Sequence, residues 1–205
     1  MLKNINKRVS TVERNTNETK ITVKINLDGQ GIGNIKTGLP FFDHMIEQLS
    51  KHSLIDIDLK CDGDLHIDSH HTVEDIGWAL GGAINKALGN KKGIKRYSFS
   101  YLPMDECLTR CSIDVSGRPW LIWNVFLPAV SIKDIETEIF KEFFQAFSQA
   151  ASFTLHIENL YGTNTHHIIE SCFKSLAVAI RGAVSIDLMN KENIPSTKGT
   201  LTERS

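Results

Sequence analysis

The sequence predicts an α+β fold in which β-sheets pack against helices and one structural unit occurs twice. Three observations predict it. Short runs alternate apolar and polar residues, and longer runs place apolar residues three and four apart. Both kinds of run recur in the same order about 98 residues further along a chain of 205 residues.

Taken in order, residues 19–27 alternate Ile21, Val23, Ile25 and Leu27 with polar residues, the pattern of a strand with one buried face. Asp28-Gly29-Gln30-Gly31 is a turn, and residues 32–37 are expected to return as that strand's partner. Pro40 stands in the first turn of a helix whose stripe is Phe41, Phe42, Met45, Ile46 and Leu49. Residues 54–59 alternate again as a strand. A polar loop over 61–69 then leads into a long helix from about 71 to 88. Val73, Ile76, Leu80, Ile84 and Leu88 fall on its inner face, and Gly89 is placed to cap its end. Residues 97–102, 108–115 and 120–126 read as strands, with Ser116-Gly117-Arg118-Pro119 turning between the last two.

The second half repeats this order. Ile139, Phe140, Phe143, Phe144 and Phe147 match the first helical stripe, and Phe153, Leu155 and Ile157 match the strand at 54–59. Ile169, Cys172, Phe173, Leu176, Ile180 and Val184 match the long helix at a shift of about 96. The expectation is a duplicated strand-helix-strand-helix unit. No Pro/Gly/Ser-rich linker divides it, so residues 1–205 are expected to form one catalytic domain. Its repeats run from about 8 to 95 and from 96 to 190, followed by a polar substrate-binding tail over 191–205.

The net charge is −1, which supplies no field for nucleic acid or a membrane surface. Lys3, Lys7 and Arg8 are followed by no apolar segment, so neither a signal peptide nor a spanning helix is expected. Cys61, Cys107, Cys111 and Cys172 form no CxxC pair, as in a cytoplasmic protein with reduced thiols.

The histidines carry the chemistry. His70-His71-Thr72-Val73-Glu74 opens the long helix of the first half, and His166-His167-Ile168-Ile169-Glu170 opens its counterpart. Adjacent helical residues project about 100° apart, so the two histidines of a motif cannot easily share one ion. One histidine and the glutamate can share a face. Each motif therefore offers one ion a His/Glu pair and another ion a single His, which suits two metal sites fed from both halves or from neighbouring subunits. A lone HHxxE is more often just a polar helix start; its recurrence at the same place in a duplicated unit argues for ligands. His44, beside Asp43 and off the helix stripe, is a further candidate ligand. So is His156, which faces away from Phe153, Leu155 and Ile157. Imidazole and carboxylate without thiolate suit manganese, iron or zinc, and a high coordination number favours Mn²⁺. Glu18 and the Asp105-Glu106 pair are candidate proton-transfer groups. Arg96, Arg118 and Ser196-Thr197-Lys198-Gly199 suggest an anion pocket.

The stretches RNTNET (14–19), INLDGQG (25–31), TGLPFFDHM (37–45), HIDSHHTVEDI (66–76), MDE (104–106), DVSGRP (114–119), LHIENLYGTNTHHIIE (155–170) and PSTKG (195–199) span almost the whole chain. Together they resemble the imidazoleglycerol-phosphate dehydratase family, in its single-function form. The resemblance implies dehydration of D-erythro-imidazole-glycerol phosphate to imidazole-acetol phosphate in L-histidine biosynthesis. It implies a duplicated ribosomal-protein-S5-domain-2-like unit, and self-association to a hollow 24-mer with active sites at subunit interfaces. It implies two Mn²⁺ ions per active site, held by His44, His70, His71, Glu74, His156, His166, His167 and Glu170. Arg96, Arg118, Ser196 and Lys198 fall at its phosphate contacts, Glu18 and Gln48 at substrate positions, and Asp105 at a metal-side position. The segment 128–137 departs most from the family.

The chemical difficulty is a C–H proton with no carbonyl to acidify it. Holding the imidazole as a metal-bound imidazolate would let the ring expel the hydroxyl through a diazafulvene-like intermediate. Glu18 is the first candidate for moving the proton, with Glu170 and His44 as the other catalytic candidates. Two rivals belong to other classes: a dinuclear metallohydrolase, which would need a bridging carboxylate, and a non-catalytic metal-storage cage, which usually uses long four-helix bundles.

Overall fold

In the computed structural model, which describes residues 8–201, each half of the chain folds as the same succession of elements. The first half contains β1 (Val9–Asn15), β2 (Thr19–Asn26), β3 (Gly33–Lys36), α1 (Pro40–Ser53), β4 (Asp56–Gly63) and α2 (His70–Leu88). The second contains β5 (Tyr97–Met104), β6 (Cys107–Asp114), β7 (Trp120–Asn124), α3 (Ile139–Ala151), β10 (Thr154–Tyr161) and α4 (Thr165–Val184). A small hairpin, β8 (Ser131–Ile132) and β9 (Ile135–Glu136), is inserted before α3. Lys3 and Lys7 lie outside the described residues.

The sheets have matching orders, β1-β2-β4-β3 and β5-β6-β10-β7. This corrects two expected pairings. Residues 32–37 do not return beside β2; β3 instead runs parallel to β4. Likewise β7 does not pair with β6, because β10 lies between them and runs parallel to β7. Parallel neighbours need a crossover, and α1 and α3 supply it. The repeat is thus longer than strand-helix-strand-helix. It begins with a hairpin whose outer strand, β1, has only Val9 and Val12 as apolar residues and half-exposed side chains throughout. The strand after α1 also starts later than its alternation suggests: Leu54 caps α1 in the left-handed region (φ 61°), so β4 begins at Asp56.

The four helices lie between the two sheets. α1 and α2 cover the first sheet, α3 and α4 cover the second, and the pairs meet as α1 on α4 and α2 on α3. Phenylalanines fill the centre: Phe42 stands edge-on to Phe143 at 5.4 Å, and Phe143 and Phe144 lie 5.0 and 4.8 Å from Phe173. Each such ring buries a large apolar area, and edge-to-face contacts add to that burial. α2 and α3 approach closely because Gly77 and Gly81 lie against α3. A Cβ on Gly77 would stand 2.6 Å from the Phe143 carbonyl oxygen, and one on Gly81 2.5 Å from that of Phe147. Four residues along α2 thus match four along α3, so these helices run parallel. As expected, Gly89 ends α2, with φ 56°.

Candidate metal centre and active site

Both HHxxE motifs sit on the first turn of a helix that starts with its backbone N–H groups held. Asn164 Oδ1 accepts from the N–H groups of His166 (2.9 Å) and His167 (3.4 Å), and Asp68 Oδ1 accepts from that of His70 (2.8 Å).

On α4, His166 Nε2 stands 3.0 Å from Glu170 Oε2, one turn on. Across the α1–α4 contact, His44 Nε2 stands 3.3 Å from the same oxygen. Gln48 lies beside His44 (Nε2 to Nδ1, 3.5 Å) and also meets His52, so it braces that ring. The donor atoms of His44, His166 and Glu170 all lie within 4.8 Å of one another. Two imidazoles and a carboxylate at that spacing fit a borderline divalent cation. Glu170 is buried, which pushes its carboxyl up, but hydrogen bonds from Lys174 (2.5 Å to Oε1) and His166 outweigh this and leave it below the ordinary value. It is therefore ionised and ready to ligate.

The second histidine of each pair turns away. The rings of His166 and His167 stand at 85°, and those of His70 and His71 at 76°. His167 Nδ1 meets Glu106 Oε2 at 2.7 Å, while its Nε2 faces Asp105 at 3.9 Å. His71 Nδ1 meets Asp64 Oδ2 at 2.9 Å, and its Nε2 faces Glu18 Oε1 at 3.7 Å. Each ring is thus fixed through Nδ1, which leaves Nε2 as the outward ligand atom. Glu106 also accepts from the N–H groups of Thr163 and Asn164. The His167 imidazole, helped by these, holds Glu106 down to about 2. The Asp64 hydrogen bond raises His71.

The first motif is the looser one. His70 Nε2 lies 3.6 Å from Glu74 Oε2. The duplication shows what stands across from it: at the shift of 98 that maps Phe42 onto Phe140, His44 maps onto Glu142. Because α2 and α3 run in parallel register, the turn before Gly77 comes level with the first turn of α3, where Glu142 is half-exposed. Sequence reasoning passed over Glu142 because a carboxylate, and not a second imidazole, fills the place; the shift was the signal that could have found it. It also passed over Asp64 and Lys174, and Glu106, a candidate for proton transfer, instead holds the Nδ1 of His167.

His156 is not brought to either cluster. Leu155 and Ile157 are buried under the helices, so His156 projects from the other face of the second sheet, beside Ser112 and Ile122 of the neighbouring strands. The alternation that flagged it also sends it away from α4.

Glu18 sits on the β1–β2 turn. Thr16 Oγ1 accepts from the N–H groups of Glu18 and Thr19, and Asp64 N–H donates to the Glu18 carbonyl. Asp75, one residue beyond Glu74, ties this turn to α2 by accepting from Arg14 (2.6 Å) and Thr19 (2.5 Å). The β5–β6 turn with Asp105 and Glu106 occupies the equivalent place in the second half.

The anion candidates converge elsewhere. Arg96 Nε and Nη2 donate to the Asp114 carboxylate, and its Nη1 donates to the Pro195 carbonyl (2.8 Å), next to Ser196. Asp114 raises Arg96 further, so its charge is fixed. Arg118 Nη2 approaches Asp114 at 3.7 Å and stays half-exposed. Two guanidiniums thus face one carboxylate, with Ser196 and Lys198 on the adjoining turn. The Arg96 N–H donates to the carbonyl of Ala183, at the far end of α4. From Glu170 to Ala183 is about 20 Å along a helix. The anion corner and the metal cluster of one chain are therefore well separated.

A family model described as imidazoleglycerol-phosphate dehydratase matches residues 37–180. A protein of that name from Sinorhizobium fredii (strain NBRC 101917 / NGR234) is 54% identical over 194 residues, covering 95% of this chain and 96% of its own. The crystal structure of the Staphylococcus aureus subsp. aureus N315 protein of that name superimposes with a TM-score of 0.80 at 34% identity, over 87% of this chain and 99% of that one. The Pyrococcus furiosus structure, in complex with (S)-C348, superimposes with a TM-score of 0.80 at 32% identity, over 93% of this chain and all of that one.

Proposed function

The chain belongs to the imidazoleglycerol-phosphate dehydratase family, and on that premise we propose how its residues divide the work of the reaction. It is a hydro-lyase of histidine biosynthesis. The observation that carries the proposal is the convergence of His44, His166 and Glu170 on one point while His167 turns away from it.

Each active site holds two Mn²⁺ ions. One is bound by His44, His166 and Glu170. The other is bound by His70 and Glu74, with Glu142 at the place His44 takes in the first cluster. His71 and His167, with Nε2 pointing outward, supply ligands to clusters of neighbouring copies. Ions held by these residues would supply Lewis acidity to the imidazole ring of the substrate. The anion corner holds the phosphate through Arg96, Arg118, Ser196 and Lys198. A three-carbon chain between ring and phosphate cannot span the length of α4, so the ring and the phosphate of one substrate are held by different subunits. This supports a closed homo-oligomer with interfacial sites, the 24-mer that the family resemblance implies. Four free thiols support a cytoplasmic setting.

Glu18 takes the C–H proton of the substrate. Its carboxylate is half-exposed on an anchored turn, whereas both oxygens of Glu170 are engaged. The neighbouring hydroxyl leaves as water, and the enol so formed tautomerises to the ketone, imidazole-acetol phosphate. Asp105, facing His167 from the equivalent turn, is the matching group on the other side.

Incubation of the manganese-loaded protein with imidazoleglycerol phosphate should yield the ketone. Phosphate release instead would favour a hydrolase, and metal uptake without turnover a storage protein. Glu18→Gln should abolish ketone formation with metal content intact; normal turnover in that variant would remove Glu18 from the chemistry.

A further inference from the structure

Lys91 is a lysine with no part in the chemistry above, and it is only 2% exposed. It follows the cap of α2 with its backbone in the left-handed region (φ 61°). Its ammonium donates at 2.8 Å to the carbonyl of Leu201, 110 residues away, and Leu201 is itself 2% exposed. Burying an ammonium is costly, so a chain keeps one where it fixes acceptors that nothing else would hold. The same loop grips the tail at an earlier point. Gly93 N–H donates to the Asn193 carbonyl, and Arg96 donates to that of Pro195, both at 2.8 Å. Between these grips lies a tight turn, in which the Gly199 N–H donates to the Ser196 carbonyl and the Lys198 N–H to Ser196 Oγ. Thr197, Lys198, Gly199 and Thr200 are exposed there.

We propose that Lys91 is a positioning residue for phosphate binding. It clamps the far end of the Ser196–Lys198 turn, so that the turn becomes a loop pinned on both sides. A pinned loop has already lost most of the freedom that binding would otherwise have to remove. Without the clamp, the Ser196–Lys198 turn is gripped only on its Pro195 side. The inference rests on the reading of Ser196 and Lys198 as phosphate contacts.

The test uses the full-length, manganese-loaded protein. Lys91→Met keeps the buried bulk and removes the charge. It should raise KM for imidazoleglycerol phosphate about tenfold, equivalent to about 1.4 kcal/mol, with kcat within about twofold. The inhibition constant for inorganic phosphate should rise in parallel, and trypsin should cut after Lys198 faster than in the parent. Truncation after Thr200 removes the other half of the clamp. It should give the same changes, and combining it with Lys91→Met should add little to them. Fully additive effects, or a fall in kcat with KM unchanged, would overturn the proposal. Lys198→Ala separates the two readings. If it leaves KM unchanged, the phosphate assignment fails and the clamp with it. If it raises KM while Lys91→Met does not, the clamp alone fails.

Discussion

At the scale of single residues, the two carboxylates behind the histidines are as informative as the histidines. Asp64 and Glu106 come from unrelated positions in the repeat, yet each fixes the Nδ1 of the second histidine in its motif. Such partners set tautomer and ring direction, and their loss typically costs metal sites about 10- to 100-fold in affinity. Asp64→Asn and Glu106→Gln should therefore each weaken Mn²⁺ binding by a factor in that range, read by competition with a chelator. Unchanged affinity in both would show that the rings need no orienting. Glu106→Gln carries a second signature. The folded protein holds Glu106 near 2, below the ordinary carboxylate value, so its contribution to apoprotein stability is complete above about 4.5 and is lost as pH falls towards 2. Parent and variant should differ in denaturant midpoint at pH 6 and converge in acid.

At the scale of elements, the packing of the helices depends on how closely α2 and α3 approach. Gly77 faces the α3 backbone, which cannot yield as a side chain can. Gly77→Ala should destabilise the protein by about 1–3 kcal/mol by overpacking. Gly82, one residue beyond Gly81 on the same helix, has open space where its Cβ would go. Gly82→Ala should therefore stabilise by about 0.5–1 kcal/mol, the ordinary cost of glycine inside a helix. Denaturant midpoints of the pair check both signs. The helices were legible in the sequence because their apolar stripes are local and long. β1 was not, since an edge strand with two apolar residues lacks the alternation that marks a buried face. Nor was the pairing of β3 and β7, because alternation shows that a strand exists but not which neighbour it takes. The same limit applies to the site. His166 and Glu170 could be paired from spacing alone, being one turn apart. His44 could be marked as a candidate by its place off the helix stripe, but not assigned to that pair, and Glu142 could be found only through the repeat. His156 was flagged because it faces away from the apolar residues of its strand, and that direction also takes it away from α4.

At the scale of the whole molecule, the duplication places an HHxxE motif at the starts of both α2 and α4, each with a second histidine turned away from the first. If neighbouring copies complete these clusters, metal binding and association are one equilibrium. Chelation should then lower the particle mass in light scattering, and added Mn²⁺ should restore it. Equal masses with and without chelator would separate assembly from metal.

The distance along α4 between Glu170 and the Arg96 corner bears on inheritance. If ring and phosphate are held by different subunits, a defect in the cluster and a defect in the corner would spoil different partners of the same site, so two inactive alleles need not add up to an inactive cell. Co-assembled from equal amounts of His166→Ala and Arg96→Ala chains, about a quarter of the sites would draw both parts intact. Mixing two dead preparations should restore measurable turnover, as interallelic complementation.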